Sequence, residues 1–137
     1  AHALHALAEQ GAAAAEAVTA IAGLLETGSD RVRRTAVEAL GMIREPYEQT
    51  TDALICALSD ADDQVRFMAG LSLAKLGERA EAAVPALERA LDDDNRYVRA
   101  HAVEALRQIG TPEAREVLLQ ELFNSRWCPS TTKASTF

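Results

Sequence analysis

One dipeptide recurs at a fixed interval along this chain. Val-Arg stands at Val32-Arg33, Val65-Arg66 and Val98-Arg99, 33 residues apart each time. In that register other columns align. Ile21, Leu54 and Leu87 precede the anchors, as do Leu25, Leu58 and Leu91. Ala36, Ala69 and Ala102 follow them, then Leu40, Leu73 and Leu106, then Ile43, Leu76 and Ile109. A unit this short cannot bury its apolar face alone. It must stack on its neighbours, which restricts the fold to an array.

Each unit reads as two helices. Val84, Leu87 and Leu91 stripe the first; Val98, Ala102, Ala105, Leu106 and Ile109 stripe the second. Spacings of three and four put each set on one helical face. Ser29, Asp62 and Asn95 share the column three before the valine and are suited to cap the second helix, accepting from its free first-turn amides. An arginine in a first helical turn opposes the helix dipole, so its recurrence calls for compensation. Asp60 and Asp93 share one column of the turn, and Asp30 and Asp63 another. The expected arrangement is a ladder of Arg33, Arg66 and Arg99 with these aspartates, running from repeat to repeat. Thr27 replaces the aspartate of the first unit, so the ladder is expected to weaken there.

The acidic turn, the Val-Arg pair, the alanine four on and the leucine eight on together resemble a HEAT repeat. No T-P-L-H signature of ankyrin repeats is present, and no tetratricopeptide pattern. The short period resembles the HEAT-like type first described in phycobilisome bilin lyases and common in bacterial proteins. Residues 76 to 110 fit it almost throughout, and the resemblance covers about residues 1–124. It implies an all-α, right-handed α-solenoid, a HEAT-like superhelix of about eight helices. These are expected near 1–10, 12–26, 30–44, 46–59, 62–77, 79–91, 95–110 and 112–124. Residues 1–11 form a partial repeat, 12–44, 45–77 and 78–110 whole ones, and 111–124 half of another. Ala3, Leu4, Ala6 and Leu7 match Ala36, Val37, Ala39 and Leu40, so the chain starts inside a second helix and reads as a fragment of a longer array. Residues 125–137 have no helical period and read as an irregular tail in which Trp127 caps the last helix.

Chemistry is sparse. The 137 residues carry a net charge of −7, which argues against general nucleic-acid binding. No apolar run is long enough for a transmembrane span. His2 and His5 lie three apart with Glu9 beyond, too few ligands for a metal, and His101 reads as plain surface. Asp92-Asp93-Asp94 lacks the glycine and glutamate of a calcium loop and reads as a solvated turn. Cys56 reads as a small hydrophobe at the edge of the buried stripe, and Cys128 has no evident partner. The pair suggests a reduced, cytoplasmic setting. No nucleophile or phosphate-loop motif occurs, so no enzyme activity, cofactor or metal is expected.

That leaves surfaces. The resemblance implies that second helices line a concave side. Positions two, six and ten after the valine point away from the core: Arg34, Glu38 and Met42, then Phe67, Leu71 and Lys75, then Ala100, Glu104 and Gln108. Met68 lies one position on from Phe67. Phe67, Met68 and Leu71 stand where neighbouring units carry charged or small residues, with Met42, Glu38, Lys75 and Glu104 around them. This reads as a recognition patch for a protein or peptide, with an acidic rim favouring a basic partner. The rival explanation is that these residues contact the adjacent repeat. Other roles considered are a regulatory segment of a longer enzyme-containing protein, a bilin-lyase-like subunit, and a DNA glycosylase, the last disfavoured by charge. Neither nucleic acid nor membrane is expected as a partner. The expected state is a monomer or a weak end-to-end dimer.

Overall fold

The computed structural model describes residues 2–127, and no strand occurs among them. The helices are α1 (His2–Thr27), α2 (Asp30–Ile43), α3 (Tyr47–Ala57), α4 (Asp63–Leu76), α5 (Val84–Ala90), α6 (Arg96–Ile109) and α7 (Pro112–Trp127), with a 3-10 segment (Gly77–Ala83) leading into α5. They form two layers. The second helices α2, α4 and α6 pack side by side in succession, while α1, α3, the 3-10 segment with α5, and α7 succeed one another in the other layer. This is an all-α solenoid.

The repeat columns supply its core. Leu40, Leu73 and Leu106 are wholly buried, as are Leu54 and Leu87 of the first helices. Each such side chain stabilises the array by roughly 1.5–3 kcal/mol. One apolar cluster runs unbroken from Val18 to Ala114. The anchor valines behave unequally. Val65 and Val98 are buried, but Val32 is 39% exposed. Among the described residues only α1 lies behind Val32, so less of the array covers it.

Three expected boundaries move. The break near residue 11 is absent, and α1 is continuous through Gly11. A helical glycine costs only about 1 kcal/mol, and the alanines that follow propagate the helix. The helix expected from residue 79 opens instead as the 3-10 segment, with Ala80 at φ −97 and ψ 22. Pro85 explains this. It has no N–H to donate, and its ring crowds the carbonyl four residues back, so the α-helical ladder starts only at Val84. The last helix, expected to end at residue 124, runs on to Trp127. The Trp127 side chain and residues 128–137, including Cys128, lie outside the described residues, as do the side chains of His2 and His5.

Candidate functional site

The acidic turns do more than join helices. Arg33 donates from Nε to Asp60 Oδ2 at 2.9 Å and from Nη2 to Asp60 Oδ1 at 3.0 Å. Arg66 repeats the pairing with Asp93, at 2.9 and 3.3 Å. The same guanidinium groups tie down their own turns. Arg33 Nη1 donates to Gly28 O at 2.9 Å, Arg66 Nη1 to Asp60 O at 2.8 Å, and Arg99 Nη1 to Asp93 O at 2.6 Å. Each acceptor carboxylate also takes a backbone N–H two residues on, from Asp62 and Asn95, both at 2.9 Å. One aspartate therefore closes its own turn and receives the preceding repeat's arginine.

This geometry corrects two expectations. Arg33 reaches forward to Asp60, so Thr27 does not weaken the first rung. The rung that lacks a carboxylate among the described residues is Arg99, whose forward column holds Arg126. Asp63 is not met by an arginine. It accepts from Asn95 Nδ2 at 2.8 Å, while Asp30 pairs with Arg33 of its own repeat at 2.6 Å. Asp60, with Asp30 adding to it, holds the Arg33 guanidinium well above its usual range.

A further ion pair escaped the sequence reading. Arg34 donates to Asp62 from Nε at 2.6 Å and from Nη2 at 3.1 Å. The hydrogen bond from Arg34 is the main cause that lowers the Asp62 carboxyl below its ordinary value, with the Gln64 and Val65 amides assisting. Asp62 thus makes no regular side-chain cap of the kind Ser29 and Asn95 provide. Only the position of Arg34 two residues past the valine could have signalled it.

The patch residues divide. The Phe67 ring stacks on His101 at 5.6 Å and lies tilted to Tyr97 at 6.4 Å. Phe67 and Met68 are half-buried and pack on the core, so they serve the contact between repeats, and His101 is part of it rather than plain surface. Leu71 and Met42 remain open at 38% and 72% exposed. Glu38 and Lys75 are exposed, and neither forms an ion pair among the described residues. Glu104 accepts from Arg107 at 3.1 Å and from Gln108 at 2.8 Å. Tyr97 is 54% exposed, with the Arg96 guanidinium 5.0 Å from its ring centroid. Cys56 is exposed rather than tucked at the edge of the core.

Two glycine contacts bring the second helices close together. A Cβ on Gly41 would lie 2.5 Å from Ser72 Oγ, and one on Gly70 would lie 3.1 Å from His101 Cβ. The acids concentrate elsewhere. The first helices and the 3-10 segment carry Glu48, Asp52, Glu78, Glu81, Glu88, Glu113 and Glu116, whereas bases outnumber acids along α2, α4 and α6.

Among the described residues no group of three His, Cys, Asp or Glu side chains could hold a metal ion. No helix among them is long and apolar enough to cross a membrane. The family model for HEAT repeats matches residues 1–74 and again 51–127. No curated protein matches the chain.

Proposed function

The chain belongs to the HEAT-repeat family, and from that premise we propose that it is a non-catalytic scaffold holding a protein or peptide on the face of its second helices. HEAT repeats generally mediate protein–protein interaction. The observation that carries the reading is the exposure of Leu71 and Met42 on adjacent second helices among charged side chains. Apolar side chains in a charged surround are the usual anchors of an interface. The absence of any nucleophile or phosphate-loop motif in the sequence supports a binding role. Within the family, the period of 33 residues supports the short, bilin-lyase-type class of repeat. Two cysteines without metal spacing support a cytoplasmic setting.

Retention of partners on the immobilised chain tests this, with Leu71→Glu and Met42→Glu as comparators. A partner retained by the parent chain and lost from both variants, with helicity unchanged, is the expected result. A partner retained equally by all three chains would remove this face from consideration.

A further inference from the structure

We infer that the segment held on this face is a polyproline-II stretch carrying one apolar residue, with a basic residue three positions before it and another three after. The inference rests on the second-helix face being the binding surface, and it names the chemistry that face selects.

Leu71 stands six residues after its anchor valine, and Glu38 and Glu104 hold the same place on α2 and α6. Since α2 and α6 pack on either side of α4, the leucine has one acid on each flank in a single row. Packed helices lie about 8–10 Å apart, and the glycine contacts of Gly41 with Ser72 and Gly70 with His101 favour the short end. A polyproline-II chain has three residues per turn and rises about 3.1 Å per residue, so every third side chain returns to one face after about 9 Å. That period matches the row. A β-strand does not, because its same-face side chains recur at about 7 Å and 13 Å.

The surroundings favour the same occupant. An α-helical ligand needs a long apolar stripe opposite its own, and this row offers one leucine. A polyproline-II chain needs aromatic surface instead. One turn before Leu71 lies Phe67, stacked on His101 and beside Tyr97. Glu38 has no partner to give up. Glu104 would exchange its exposed neighbour Arg107 for the ligand's base at little cost. Lys75, one turn past Leu71, lies outside the row and discourages a base placed off register.

Two fluorescent peptides of equal composition test the inference on the full chain at low salt. One is a proline-rich peptide with a central leucine and arginines at the third position on either side. The other has the arginines adjacent to the leucine. The expected result is anisotropy binding about ten-fold tighter for the spaced peptide. Glu38→Gln and Glu104→Gln should each weaken it about three-fold, and the double variant should erase the preference. Equal binding of the two peptides, a preference that survives the double variant, or no binding of either would overturn the inference. If a retained partner is still lost on Leu71→Glu while the peptides are not discriminated, the surface reading stands and this one falls. If Leu71→Glu changes nothing in either assay, both fall.

Discussion

Arg66 and Asp93 lie 27 residues apart in the chain and share two hydrogen bonds, closing the step from one repeat to the next. Both side chains are mostly sheltered, at 18% and 14% exposed. Replacing Asp93 by alanine would leave the guanidinium and the Asn95 N–H unsatisfied together. Asp93→Ala should therefore cost about 2 kcal/mol in urea unfolding followed by circular dichroism. Asp94→Ala, on an exposed neighbour, should stay within about 0.5 kcal/mol. Equal losses for the two would mean the rung contributes nothing specific.

The Arg34–Asp62 pair gives stability a pH dependence of known sign. The folded carboxyl titrates below its ordinary value of 3.8, mainly through the Arg34 hydrogen bond. Such a group contributes fully above the unfolded value, and the contribution is lost as pH falls through the folded one. Parent and Asp62→Asn urea midpoints should thus differ most at neutral pH and converge below about pH 3. A gap that stays constant down to pH 2 would contradict the pairing.

Gly41 lies where α2 meets α4. A methyl group there would sit 2.5 Å from Ser72 Oγ and 3.0 Å from Ser72 Cβ. Gly41→Ala should therefore destabilise by about 1–3 kcal/mol, against the helix propensity that favours alanine. Adding Ser72→Gly should recover part of the loss. Thermal denaturation of the two single variants and the double variant would reveal the coupling.

Phe67 is assigned a structural share by its stacking on His101. In a double-mutant cycle of Phe67→Ala and His101→Ala, the coupling energy should be about 0.5–1.5 kcal/mol. Additive losses would show that the rings do not depend on each other, and would return Phe67 to the binding face alone.

Thr51 shares its column with Val18 and Val84 and is 2% exposed, with no hydrogen-bond partner for its hydroxyl. Thr51→Val keeps the shape and removes the orphaned oxygen. It should stabilise the chain by about 1 kcal/mol, seen as a raised urea midpoint.

Much of the architecture was legible because the repeat writes it several times. Leu40, Leu73 and Leu106 are buried because stacking gives one column one environment, and Ser29 and Asn95 cap their helices by chemistry local to the turn. Pro85 was equally visible, yet its effect on the helix entrance was not drawn from it. Gly11 misled because a glycine weakens a helix without forbidding it. The candidate site was legible as a set of positions, but exposure separated its members. Leu71 and Phe67 both stand in surface columns, and only the reach of the Phe67 ring toward His101 takes it partly out of solvent.

The sequence by itself determined the period, the two-helix unit and the residues able to bond across turns, since these follow from spacing and side-chain chemistry within about 33 residues. The tertiary structure alone decided which partner each residue took. Arg33 selects Asp60 of the next repeat, Asp62 leaves its cap for Arg34, and Asp63 takes the Asn95 amide. A charged side chain several bonds long can reach more than one neighbour. The choice among them depends on how closely and in what register the helices stack, which the contacts of Gly41 and Gly70 set in three dimensions.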